Sequence, residues 1–168
     1  KIQHVLEIWR TSQNNWVLSS YPGEGFQVAN LLDKFHIREN FKFQLLTPST
    51  LRLDLRGPRS STVIKILGLD MSSDTSKTSG IDKQILCTKH QRFGVEHYSL
   101  LIPGNDVENV ANQLIDEEDC SWVGWDAWNE MDLIERIPVF GKDFTTENFA
   151  QEAALKDFIS FNKGCYVG

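Results

Sequence analysis

Leu51-Arg52-Leu53-Asp54-Leu55-Arg56-Gly57-Pro58 decides the fold class. Strict alternation of leucine with a charged residue has the two-residue period of a strand, so the leucines share one face and Arg52, Asp54 and Arg56 the other. Such a strand is half-buried and belongs in an antiparallel sheet. Gly57-Pro58 then opens a helix, with proline tolerated in the first turn because its missing N–H would lack an intrahelical partner there. Val63, Ile64 and Leu67 give that helix its inward side.

Working outward toward the N-terminus, Ile2 to Trp9 is β-prone and Trp16-Val17-Leu18 repeats the signal after the polar turn Thr11–Asn15, which predicts a hairpin. Beyond Pro22-Gly23, the spacing of Val28, Leu31, Leu32 and Phe35 predicts a helix with a core face. Phe41, Phe43 and Leu45 alternate with Lys42 and Gln44 and read as a further strand.

On the C-terminal side, residues 70–83 are poor in apolar groups and read as a polar linker or mobile loop, since little burial is on offer against the entropy of ordering. A strand or hairpin is expected through Phe93 to Ile102, followed by a helix from Asn105. Asn105 and Glu108 have capping-box spacing there, and Val107, Val110, Ala111 and Leu114 form the stripe. Asp116–Asp119 is a solvated acidic run, unfavourable at a helix C-terminus, where fraying is expected. A last helix is predicted over Trp122–Arg136, with Ala127, Trp128, Met131 and Ile134 inward and Pro138 as its stop. The order of elements indicates an α+β sandwich in two passes, with helices on one face of an antiparallel sheet.

The chain has 168 residues, 40% of them hydrophobic, which is ample for a core. A net charge of −6 and a pI near 5.2 argue against direct nucleic-acid binding, whose affinity comes chiefly from lysine and arginine displacing counterions. Cys87, Cys120 and Cys165 are an odd number without compact spacing, so the chain is not a disulfide framework, and a reducing compartment is expected. No apolar run suits a membrane span, and the protein reads as soluble.

The most specific chemistry is at Lys163-Gly164-Cys165-Tyr166-Val167-Gly168. A neighbouring ammonium favours thiolate over thiol and the glycines open access to the sulfur, so Cys165 reads as a reactive thiol able to attack electrophiles, bind metal or carry a persulfide. Packing as a small hydrophobe is the competing fate. Cys87, His90 and His97 have metal-compatible side chains but lack the paired Cys-x-x-Cys grammar of a structural zinc site. They read as loop and hairpin residues facing water, and no permanently bound metal is expected. His4 and His36 stand singly and read as solvated or core histidines. Trp122, Trp125 and Trp128 recur at roughly helical spacing, and the first reading is a core stripe because tryptophan buries a large apolar surface. Stacking on a flat ring is the alternative.

The terminal hexapeptide resembles the Lys-Gly-Cys-aromatic-x-Gly-Gln-Glu signature of YgfZ-type proteins, the folate-binding, iron–sulfur-maintenance branch of the glycine-cleavage T-protein (aminomethyltransferase) superfamily. The stretch from Gly124-Trp125-Asp126-Ala127-Trp128 through Pro138-Val139-Phe140-Gly141 and Gln151-Glu152-Ala153-Ala154-Leu155 is similar to the approach to that signature. Leu51–Pro58 resembles the superfamily's strand ending in a Gly-Pro helix entry, and Lys1-Ile2 the tail of its Gly-Lys-[Ile/Val] strand. The similarity spans nearly all of the chain, while only the hexapeptide is specific to the branch.

This resemblance implies tandem ferredoxin-like lobes of the T-protein fold, incomplete at both ends. The end of a first lobe and the start of a second would occupy 1–69, and the rest of the second lobe 84–168. It implies a tetrahydrofolate or other folate as cofactor, with Trp125 and Trp128 as the candidate contacts. The reactive pair would be Cys165 and Lys163, supported by Gly164, Tyr166 and Gly168. Partners would be iron–sulfur cluster assembly proteins or client enzymes, with tRNA modification affected only indirectly. The compartment would be the bacterial cytoplasm, or a mitochondrial matrix or plastid stroma. Two alternatives share the scaffold: an aminomethyltransferase using tetrahydrofolate, and a scaffold subunit that has lost ligand chemistry. Two departures bear on folate. Asp132–Arg136 stands where T-proteins carry Arg-x-Glu-x-Gly, and Ser99 stands where they present a pterin-binding glutamate, which a hydroxyl does not replace.

Overall fold

The computed structural model describes residues 1–38, 40–69, 75–77, 85–90, 96–116 and 120–163. The Leu51–Arg56 alternation forms β3 in a four-stranded antiparallel sheet, as part of an α+β fold with a second, two-stranded antiparallel sheet. The small sheet is the expected hairpin, β1 (Glu7–Arg10) with β2 (Trp16–Ser19), closed where the Thr11 N–H donates to the Asn15 carbonyl at 2.9 Å. Residues 2–6 are outside any strand, so the β-prone stretch pairs only in its second half. Helix α1 (Gly25–Asp33) follows. Of its expected core face only Val28 is buried, and Phe35 lies past the helix end, about half exposed.

The strand expected over Phe41–Leu45 does not form. Its rings pack locally instead: His36 stacks on Phe41 at 4.1 Å and Phe41 meets Phe43 edge-on at 4.9 Å. Alternation without a neighbouring strand to pair with leaves an extended segment, because a strand is stabilised by its cross-strand partners.

The large sheet has the order β3 (Thr50–Arg56), β6 (His97–Pro103), β5 (Leu86–His90), β4 (Thr75–Lys77). β4 falls within the polar 70–83 stretch, of which the remainder lies outside the described residues. Gly57, at φ 139°, turns the chain out of β3 where a side chain would be strained. Helix α2 (Ser60–Ile66) starts two residues after Pro58, so the proline sits in the entry turn and not in the helix. After β6, a 3-10 turn over Gly104–Asp106 leads into α3 (Val107–Asp116).

The two helices cover the leucine side of the sheet. Val63 and Ile64 of α2, Leu67 just past its end, and Val110 and Leu114 of α3 meet Tyr98, Leu100 and Ile102 of β6 and Cys87 of β5, with Leu53 and Leu55 packed against them. This dry layer leaves the opposite side of the sheet, which carries Arg52, Asp54 and Arg56, to be covered by something else. The hairpin does part of this. Glu7 and Ser19 are directly paired on β1 and β2, and both reach Arg52.

Helix α4 (Trp125–Ile134) does the rest, and it departs from the expected pattern. It is shorter than 122–136, ending where Arg136 takes a left-handed φ of 57°, ahead of Pro138. Its inward side carries Trp128, Asp132 and the following Glu135, while Ile134 and Leu133 are exposed. The helix turns polar groups inward because the sheet face it covers is itself charged. Among the described residues, no helix is long and apolar enough to cross a membrane.

Candidate functional site

Strand register brings the site together. Asp54 lies directly opposite Ser99, Arg56 opposite His97, and His97 opposite His90, so β3, β6 and β5 place these five side chains on one face. That face forms the floor of a cavity of about 1050 Å³, walled by the hairpin, α1 and the segment from Cys120 through α4. The volume is at the upper end of ligand-binding pockets, which span about 300–1,000 Å³.

Ser99 is fully buried and its hydroxyl is completely used. It donates to Asp54 and accepts from Nη2 of Arg52 at 2.8 Å, and its oxygen stands 2.7 Å from Nε2 of His90. With its one proton on Asp54, the remaining lone pair takes the Nε2–H of His90, which assigns that tautomer. Arg52 spreads over the floor: Nε reaches both Asp54 oxygens at 2.9 and 3.1 Å, and Nη1 reaches Glu7 at 2.9 Å and Ser19 at 2.8 Å. Its guanidinium lies 5.9 Å from the Trp9 ring centre, a cation–π contact from beneath the hairpin.

Electrostatics follow from this packing. Burial works to raise the Asp54 pKa, but hydrogen bonds from His97 and Ser99 together with the Arg52 charge hold it well below the usual carboxylate range. Burial opposes the charge on Arg52, yet Asp54 and Glu7 raise its pKa further. His90, only 9% exposed, is pushed down to about 4, mainly by burial, and is neutral at physiological pH. Cys87 points to the opposite, dry face, and burial pushes its thiol up to about 12.

Arg56 anchors the far wall. Its side chain is 2% exposed, Nη1 donates to Asp132 at 2.6 Å, Nη2 donates to Glu135, and the guanidinium lies 5.3 Å from the Trp128 ring centre. The altered 132–136 stretch is therefore not short of polar groups: its two carboxylates fix α4 to β3. Trp128 also meets His97 edge-on at 5.7 Å.

The expected site residues divide. Trp125 and Trp128 both line the cavity, Trp125 at 73% exposure. Trp122 is exposed too, so the core-stripe reading fails, since a polar sheet face leaves no apolar layer for the stripe to join. Lys163 is on the surface, and Gly164, Cys165, Tyr166 and Gly168 lie outside the described residues. The grouping of Cys87 with the two histidines is corrected, because β5 sends Cys87 and His90 to opposite faces. Nor do His90 and His97 face open water: their rings are 4.5 Å apart, and Asp54 supplies the third polar group. His4 pairs with Glu24 at 3.2 Å, away from this floor.

Sequence reasoning missed Glu7, Arg52, Asp54 and Arg56. Their signal was the charged half of the Leu51–Arg56 alternation, which reads as a solvent face until a cover is known. Compared with known proteins, the chain matches no family model and no curated protein.

Proposed function

We propose that this chain is a YgfZ-type accessory protein on the T-protein scaffold, binding a folate and supporting assembly or repair of iron–sulfur clusters through the Cys165 thiol. The observation that carries this reading is the sequence of the hexapeptide Lys163–Gly168, in which a lysine near the cysteine favours the thiolate and the glycines carry no side chain to cover it. One feature of the fold supports it. The cavity has the volume for a flat heteroaromatic ligand and offers Trp125 and Trp128 for stacking. Ser99, with its hydroxyl spent internally, offers such a ligand no acceptor, so pterin recognition falls to other groups of the wall.

In this reading Lys163 would stabilise the thiolate, Gly164 and Gly168 would give access, and Tyr166 would shield or orient the sulfur. Partners are cluster assembly proteins or client enzymes, and any effect on tRNA modification runs through iron–sulfur enzymes. The test is complementation in cells lacking the endogenous protein, reading the activity of cluster-dependent enzymes, with folate titration of the purified protein beside it. Loss of activity with soluble Cys165→Ala and saturable folate binding weakened by Trp128→Ala are expected. Full rescue by Cys165→Ala overturns the thiol's role, and no folate binding at millimolar concentration overturns the ligand.

A further inference from the structure

We propose that Asp54, His90 and His97 form a binding site for a divalent transition-metal ion at the floor of the cavity. The three residues come from three adjacent strands, and one oxygen and two ring nitrogens lie within 4.8 Å of one another. Metal–ligand bonds of about 2.0–2.2 Å put ligand atoms roughly 3.0–3.5 Å apart, so side-chain adjustment of about an ångström closes the set around an ion. The backbone needs no change, because register already fixes the three positions.

The surroundings are those of a metal site. Asp54 is oriented from behind by Arg52 and Ser99, which leaves its carboxylate with little freedom. The Nε2–H of His90 is held by Ser99 Oγ at 2.7 Å, so Nδ1 is the nitrogen presented to the ion, with its outer partner already in place. Such outer partners set the tautomer and orientation of a ligating imidazole. Charge points the same way. Glu7, Asp54, Asp132 and Glu135 face Arg52 and Arg56 across this floor, four carboxylates against two guanidiniums, which leaves a surplus of two negative charges when both histidines are neutral.

Two imidazoles with one carboxylate suit zinc, iron(II) or cobalt(II) and do not suit magnesium or calcium, which take oxygen ligands. Three protein ligands leave at least one position open, and because all three residues line the cavity that position faces its interior. Water or a heteroatom of a cavity ligand completes the coordination. This site is independent of the hexapeptide and stands whether or not a folate binds.

The test uses the full chain, stripped with a chelator and titrated with Co²⁺ while the visible spectrum is followed, then with Zn²⁺ as competitor. One Co²⁺ per chain, displaced by Zn²⁺ and without thiolate charge-transfer absorption, is expected. Ser99→Ala should weaken binding about 10–100-fold, as loss of an outer partner does, and His97→Ala by more. A variant that misfolds leaves the wild type decisive. With ¹⁵N-labelled histidine, Zn²⁺ should shift the ring nitrogens of His90 and His97 and leave His4 and His36 unchanged. No saturable binding, binding that persists in His97→Ala with Asp54→Asn, or binding lost with Cys165→Ser overturns the proposal.

Discussion

Replacing Arg56 by methionine should cost the protein about 3 kcal/mol. Among the described residues Arg56 is the only charged link from β3 to α4, its side chain 2% exposed against 12% for Asp132 and 21% for Glu135. Methionine keeps much of the apolar stem but removes every donor, so two carboxylates are left in the wall without their counter-ion. Removing one partner of a buried pair costs about 3–5 kcal/mol. The lower end applies here, because Glu135 retains some water and because Nε of Arg56 is buried with no hydrogen-bond partner among the described residues, a cost that methionine removes. At about 2–4 °C per kcal/mol for a chain of this size, the melting temperature should fall by roughly 6–12 °C. Urea unfolding of Arg56→Met, Asp132→Asn and the double variant gives the pairwise part, expected at about 1–3 kcal/mol. A loss below about 1 kcal/mol for Arg56→Met, or strict additivity in the cycle, would refute the claim that this cluster holds α4 to the sheet.

Leu100→Ala, at the centre of the dry layer and fully buried, should destabilise by about 2–5 kcal/mol in the same urea assay, whereas a loss below about 1 kcal/mol would place the core elsewhere. With an alkylating reagent near neutral pH, Cys87 should stay unlabelled in the native protein and react only in denaturant, since it is both inaccessible and held as the thiol by a pKa near 12; Cys165 should label first, and Lys163→Met should slow it. Native labelling of Cys87 at the rate of Cys165, read by peptide mass, would contradict both assignments.

The dry half of the molecule was legible and the wet half was not, for one reason. Leucines at period two and Val63, Ile64 and Leu67 at helical spacing announce a face to be buried, and any helix with a complementary stripe can bury it, so α2 and α3 follow from local pattern. The charged half of the same strand carries no such instruction. Arg52, Asp54 and Arg56 alternate as they would on a face open to water, and only the long-range partners Glu7, Asp132 and Glu135 turn that face into a floor. The Phe41–Leu45 stretch errs the other way: its pattern is a strand's, but the chain brings no partner edge to it.

A clue to the covered face did exist at α4. Trp128, Asp132 and Glu135 fall at i, i+4 and i+7, a helical stripe as regular as the apolar one that was read, but made of one aromatic ring and two acids. A stripe of that composition turned inward demands cations opposite, and β3 is where the sequence alternates arginine into a sheet. Pairing the two patterns would have predicted the wall. It would also have shown why the cavity is not neutralised by it: Arg56 is consumed by two acids of α4, and Arg52 by Asp54 and Glu7. Each guanidinium serves two carboxylates, so every pairing that closes the wall leaves negative charge on it. The same contacts that fix α4 and the hairpin over the sheet therefore leave the floor at Asp54, His90 and His97 in a field that favours a cation.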